Sequence, residues 1–398
     1  MTDFIDPSFF DAEHTSLTTL RHDLHRHPEL GFEEHATASL IADELTRLGL
    51  PFEAGIGGTG IVATVKGKRE DNGRRVGLRA DMDALPIQEL GEHDHVSSTP
   101  GVMHACGHDG HTTMLLGVAR YLAEHRDFAG TLYLVFQPAE EGLGGGRAMV
   151  EAGLFERFPM DAIFALHNWP ALPQGQVAVR PGPIMAATDK INIRVKGKGG
   201  HGGVNPHLAI DPVRMTGALI QALHSVVSRD ADPLSPAALS LCGIRGGELD
   251  GFAIIPGEVR LSGTVRTLDE ATQNRIEHAI RRTCDGVAAT YGGEVEVDYE
   301  RIFPATINNE KAARFVEATV AEVLGKSALE TEVKPSLGGE DFAFMLEKCP
   351  GAYFFLGTAV GDETPPLHNA SYDFNDAIIP TGCRLLAALG LGALKGVS

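Results

Sequence analysis

Thr131-Leu132-Tyr133-Leu134-Val135-Phe136 runs directly into Gln137-Pro138-Ala139-Glu140-Glu141-Gly142. Six apolar or β-forming residues followed by an abrupt Pro- and Gly-bearing polar stretch read as a buried strand ending in a loop. The same pattern recurs along the chain. Residues 60–65 form such a run, and 75–80 run into Asp81-Met82-Asp83-Ala84-Leu85-Pro86. Residues 161–166 run into His167-Asn168-Trp169-Pro170, and 352–356 repeat the theme near the C-terminus. Between these runs, residues 14–26, 34–48, 112–121, 310–324 and 381–394 carry apolar positions at helical spacing. Strand, loop and helix in alternation predict an α/β sheet.

The character changes after Gly182. Residues 187–198 alternate apolar and polar, with Ile191, Ile193 and Val195 against Asn192, Arg194 and Lys196, and are followed by Gly199-Gly200-His201-Gly202-Gly203. A helical stretch over 208–227, strands near 238–244 and 259–267, a helix over 270–291 and a strand over 294–299 complete a β-α-β-β-α-β order. The expected organisation is a discontinuous α/β domain, 1–186 with 300–398, interrupted by an α+β domain over 187–299.

Loops at the ends of parallel strands are where α/β sheets place their sites. Met103-His104-Ala105-Cys106-Gly107-His108-Asp109-Gly110-His111 packs three His, one Cys and one Asp into nine residues. Thiolate, imidazole and carboxylate are ligands of zinc and its first-row neighbours, and a cation lowers the thiol pKa so that Cys106 binds as thiolate. Of the adjacent carboxylates Glu140 and Glu141, one can ligate a metal while the other takes a proton from a metal-activated water. His167 and His368 follow apolar segments and precede Pro or Asn turns. With Cys106, His108 and Glu141 they make five ligands, enough for two metals sharing a bridging group. Asp81 and Asp83 either cap their turn or stand at the metal. His22 and His25, at i, i+3 on a polar helix face, are expected to be solvated.

Composition sets the outer bounds. At 398 residues the chain should hold about two or three domains. A formal net charge of −19 opposes binding to nucleic-acid phosphates. The five scattered cysteines contain no C-x-x-C pair and point to the reducing cytoplasm. No secretory leader is visible in Met1-Thr2-Asp3-Phe4-Ile5-Asp6, and no run approaches the roughly 20 apolar residues of a membrane helix.

Several ordered motifs give the chain a family likeness: Arg26-His27-Pro28-Glu29-Leu30-Gly31, Arg79-Ala80-Asp81-Met82-Asp83-Ala84-Leu85-Pro86, the Cys106 run, Phe136-Gln137-Pro138-Ala139-Glu140-Glu141-Gly142, Gly339-Glu340-Asp341-Phe342 and His368. Over almost its whole length the chain resembles the aminoacylase/carboxypeptidase family of dinuclear metallohydrolases. The matching branch holds hippurate hydrolases, N-acyl-amino-acid amidohydrolases and plant auxin-conjugate hydrolases. The resemblance implies a metallopeptidase-like catalytic domain, with a mostly parallel sheet flanked by helices, and an inserted lid and dimerisation domain. It implies that Cys106, His108, Glu141, His167 and His368 ligate two divalent ions (zinc, manganese, cobalt or nickel), with Cys106 bridging, and that Glu140 is the general base. Asp81 and Asp83 would stand behind these ligands. It further implies a homodimer or dimer-based oligomer, in which His201 reaches the partner's active site and Arg266 holds the substrate carboxylate. Relatives often read Asn-Val-Ile-Pro where this chain has Ala253-Ile254-Ile255-Pro256, which removes an amide side chain.

The expected reaction is metal-dependent hydrolysis of an N-acyl amino acid to a carboxylic acid and a free amino acid, with no nucleic-acid or membrane partner. The rival within the same chemistry is a dipeptidase or carboxypeptidase. A non-catalytic binding protein is opposed by the presence of Glu140, and a redox role for Cys106 by the lack of a nearby resolving cysteine.

Overall fold

The computed structural model describes residues 5–361 and 364–397. Residues 1–4, which begin the stretch read for a leader, lie outside the described residues. The chain divides into two compact units, one of Met1–Ile184, Ile307–Lys334 and Asp341–Ser398, the other of Met185–Thr306 and Pro335–Glu340.

The first unit is an α/β layer built on an eight-stranded sheet. From one edge the order is Phe52–Ile56, Gly60–Lys66, Thr131–Gln137, Arg75–Asp81, Ala162–Pro173, Gly351–Ala359, Val177–Ala178 and Leu329–Glu330. The four central strands, Thr131–Gln137 through Gly351–Ala359, are mutually parallel. All seven residues of Thr131–Gln137 are buried, which explains a continuous apolar run rather than an alternating one. Each Leu or Phe buried there stabilises the fold by roughly 1.5–3 kcal/mol. The strands run in one direction, so Asp81, Gln137 and the loops after them emerge at one end of the sheet.

Two expectations are corrected here and one strand is added. The first helix spans Pro7–Arg26, longer than the apolar spacing indicates, because Asp6 caps it by accepting from the Ser8 N–H. Phe52–Ile56 is an added antiparallel strand, unmarked in sequence because its burial does not alternate. The strand after Asp161 does not stop before His167 but continues from Ala162 to Pro173. The segment Asp376–Ala393, with mean hydropathy 1.2, has the length and composition of a membrane span. It contains the helix Ile379–Ala393, which contributes Leu385, Leu386 and Leu389 to the core beside Met114 and Phe164.

In the second unit, four antiparallel strands lie in the order Ala237–Gly246, Glu258–Thr267, Ala187–Lys196, Glu294–Phe303. The alternation read in sequence is realised: Ile191, Ile193 and Val195 are buried in a core shared with Leu219, Leu223, Ile276 and Ile280 of two helices. Those helices are Pro212–Asp230, capped by Asp211, and Glu270–Tyr291, capped by Asp269 and closed by Gly292. The first starts later than expected because Pro206–Leu208 forms a separate 3-10 turn.

Candidate metal centre

The turn before the helix His108–Glu124 positions the centre. Gly107 sits at φ 87° as the N-cap, and a Cβ there would lie 2.6 Å from Asn168 Oδ1 and 2.8 Å from the Tyr372 hydroxyl. Only glycine satisfies both the left-handed backbone and the close approach. Among the described residues, two of the three non-glycine residues with positive φ, Ala139 and His368, also border the site. Such backbone strain persists only where surrounding contacts impose it. Here the Ala139 N–H donates to Glu34 Oε1 (2.7 Å), whose other oxygen accepts from Thr59 Oγ1 (2.5 Å). The His368 N–H donates to the Ala105 carbonyl (2.8 Å).

These constraints bring five of the expected residues together. Cys106, His108 and His167 place one donor atom each within 4.8 Å of one another, and so do Cys106, Glu141 and His368. Cys106 Sγ lies 3.5 Å from His167 Nε2, and His368 Nε2 lies 3.2 Å from Glu141 Oε1. Cys106 belongs to both groups, a sulfur, nitrogen and oxygen set suited to first-row divalent ions. His108 Nε2 and Glu141 Oε1, 3.9 Å apart, are buried and have no hydrogen-bond partner among the described residues. Two orphaned buried donors facing one another fit a bound cation.

The imidazoles are oriented for ligation through their far nitrogens. His167 Nδ1 donates to the Asn168 carbonyl (2.7 Å), and His108 Nδ1 to the Asp83 carbonyl (2.9 Å) and carboxylate (3.2 Å), which leaves both Nε2 atoms aimed at the centre. Asp83 Oδ2 also accepts from the Glu141 N–H (3.0 Å), so one carboxylate orients two donors. Asp81 is buried, accepts from Arg79 (2.6 Å) and from His111 Nδ1 (2.5 Å), and stands 3.9 Å from His108 Nε2. Glu140 is buried beside Glu141.

The electrostatics call for positive charge. Burial disfavours the His108 cation, yet Asp81, Asp83 and Glu141 outweigh it and push the pKa up to about 10. A proton or a cation can meet that demand. Burial, reinforced by His111, holds His167 well below its ordinary value and therefore neutral. Burial and the charges of Glu141, Glu140 and Asp81 push the Cys106 thiol well above its ordinary value. Thiolate forms there once a cation offsets those charges.

Sequence reasoning assigned no individual role to Glu34, His111, Arg79 or Asp341. Arg79 joins Gln137 (2.8 Å) to Asp81, and Asp341 accepts from Gln137 Nε2 (2.6 Å) and the Gly146 N–H (2.7 Å). The Arg79–Asp81 pair was detectable, since i and i+2 share a strand face. Glu34 carries no such signal, because its partner Ala139 is remote in sequence. The solvated setting expected of His25 is wrong: its side chain is fully buried between Asp109 and Glu89. His22 is half-buried on Asp376.

His201 and Arg266 belong to the second unit. His201 is exposed but not on a free loop: it pairs with Ile254 in a two-strand ladder. Its Nδ1 accepts the Gly203 and Val204 N–H groups (3.1 and 3.2 Å), so the neutral ring carries its proton on Nε2. Arg266 donates to Thr188 Oγ1 and is half-buried, which lowers its pKa by desolvation.

The family model for Peptidase family M20/M25/M40 matches residues 77–391. The chain belongs to this family. Hippurate hydrolase of Campylobacter jejuni is 41% identical over 376 residues, covering 94% of this chain and 96% of the relative. Thermostable carboxypeptidase 2 of Saccharolobus solfataricus is 38% identical over 379 residues, covering 94% of each. Among solved structures of the M20 family, a dinuclear metal binding peptidase of Bacillus subtilis superposes with TM-score 0.83 at 32% identity, covering 97% of this chain and 99% of that one.

Proposed function

We propose that this M20-family chain is a metal-dependent amidohydrolase that cleaves N-acyl amino acids of the hippurate or N-acetyl-amino-acid type. The observation that carries the reading is the convergence of Cys106, His108, Glu141, His167 and His368 with Glu140 beside them. Two divalent ions, zinc, manganese, cobalt or nickel, would be held by those five residues, with Cys106 common to both donor groups. Bound there, they supply Lewis-acid polarisation of the amide carbonyl and acidify water. Glu140 takes the proton of the attacking water and returns it to the leaving amine. Asp83 keeps His108 and Glu141 aimed while this happens, and Asp81 stands behind His108. His201, whose Nδ1 is taken by backbone N–H groups, donates from Nε2 to the tetrahedral oxyanion, and Arg266 receives the substrate carboxylate as a bidentate pair. We assign these last two roles to a dimer in which His201 serves the partner's site. The edge strand Ala237–Gly246, which pairs on one side among the described residues, and the exposed Leu249 and Phe252 support association through the second unit. The free state of the five cysteines supports a reducing, cytoplasmic setting.

A second reading, a carboxypeptidase on the same centre, is favoured by the 38% identical thermostable carboxypeptidase. Rates on benzoylglycine and acetyl-amino acids against rates on dipeptides and blocked peptides separate the two; faster peptide cleavage would reverse the order. His201→Ala should reduce turnover roughly 100-fold with metal content unchanged, as for loss of an oxyanion donor. Mixing inactive Glu140→Gln with inactive His201→Ala protein should restore activity if His201 acts across the dimer. No recovery after demonstrated subunit exchange would place His201 in its own site or outside catalysis.

A further inference from the structure

A second histidine-rich cluster lies in the first unit, and the proposed hydrolysis does not use it. The helix Pro7–Arg26 contributes His25, and the loop after Pro86 contributes Glu89 and His93. His25 Nε2 and His93 Nε2 lie 3.1 and 2.9 Å from the same atom, Glu89 Oε1. All three donors fall within 4.8 Å of one another. The His93 approach lacks the alignment of a hydrogen bond, and neither of its ring nitrogens has a hydrogen-bond partner among the described residues. The His25–Glu89 contact is a hydrogen bond that a bound ion would replace, and the unaligned approach of His93 is what a second ligand of one ion presents, since ligands about 2.0–2.1 Å from a tetrahedral zinc sit roughly 3.3 Å apart.

Each donor is held from behind. His25 Nδ1 donates to Asp109 Oδ2 (2.8 Å), the carboxylate–histidine arrangement that fixes a metal-binding imidazole. The remaining Glu89 oxygen accepts from the Ser97 N–H (2.7 Å), and His93 stacks on His95 with centroids 3.8 Å apart. Gly91 borders the donors closely: a Cβ there would lie 2.7 Å from His93 Nε2 and 3.2 Å from Glu89 Oε1, so any larger residue would crowd both. Charge favours a cation as well. Glu89, Asp109, Asp373 and Asp376 carry four carboxylates into this network, against the guanidinium of Arg21 and the His25 ring that Asp109 and Glu89 flank.

We propose that His25, Glu89 and His93 form a separate site for a first-row divalent ion, with two nitrogen ligands, one oxygen ligand and an open position on the partly exposed His93 side. A bound ion would tie the first helix to the 87–97 loop.

The probe is Zn²⁺ alone, added to chelator-stripped full-length protein carrying Cys106→Ser and His167→Ala, which removes two donors from the other centre. One zinc per chain should still bind, with X-ray absorption showing nitrogen and oxygen neighbours and no sulfur, and zinc should raise the Tm. Adding His93→Ala, or Gly91→Ala to crowd the donors with a methyl, should weaken that zinc roughly tenfold or more. In the otherwise unaltered protein, His93→Ala should remove one metal equivalent and leave hydrolysis unchanged, a measurement that stands even if the double variant does not fold. Metal content equal to that of the parent, or zinc retained equally in the His93→Ala and Gly91→Ala variants, would overturn the site.

Discussion

His108 and Asp109 are neighbours at the start of one helix, yet they serve different clusters. His108 faces Cys106 and Glu141, while Asp109 holds His25 and lies 3.4 Å from Arg21. The first cluster has a sulfur donor and orphaned donor atoms, with His108 and His167 anchored through their far nitrogens. The second is dense in carboxylates that are already engaged by Arg21, His22 and His95. Both clusters leave donors unsatisfied, His108 Nε2 and Glu141 Oε1 in the first and His93 in the second; what distinguishes the two is how much of the rest of the donor set the scaffold's own hydrogen bonds consume.

Separating the two carboxylates of the first cluster should give the largest effect. Glu140→Gln should lower turnover roughly 100-fold or more with metal content near normal, as for loss of a general base. Glu141→Ala should instead lose metal. Elemental analysis alongside kcat decides, and the opposite pattern would exchange the two roles. Next in size, Asp83→Asn should weaken metal binding at this centre by roughly 10–100-fold through loss of the orienting carboxylate, read from competition with a chelator. An unchanged affinity would show that the Asp83 carbonyl alone orients His108.

Asp109→Asn attacks the other side of the helix start. It should leave metal at the Cys106 centre in place and destabilise the fold by about 2 kcal/mol, the scale of a buried charge-assisted hydrogen bond. Urea unfolding measures this, and metal loss from the Cys106 centre would show that the clusters are coupled. The smallest effect concerns His104, buried with both ring nitrogens unpartnered among the described residues. Burial, only partly offset by Asp109, pushes its pKa down to about 4 from 6.5. The folded state resists protonating it, so its stability contribution is full above about pH 6.5 and is lost as the pH falls toward 4. The urea midpoint of His104→Leu should fall less over that interval than that of the parent.

The residues themselves determined the alternating α/β plan, the β-α-β-β-α-β segment and the metal-ligand character of the 103–111 stretch. Each is written in local periodicity or local composition, which the chain carries wherever it folds. Tertiary structure decided what those residues meet. The i, i+3 spacing of His22 and His25 reads as a polar helix face, but Glu89, Asp109 and Asp376 arrive from distant segments and bury His25 completely. The strained φ of Ala139 and His368 likewise depends on Glu34 and Ala105, which local sequence does not place beside them. A side chain's chemistry is local, whereas its burial, charge state and free donor atoms depend on partners brought in by long-range packing, and those partners turn a histidine on a helix face into a buried ligand.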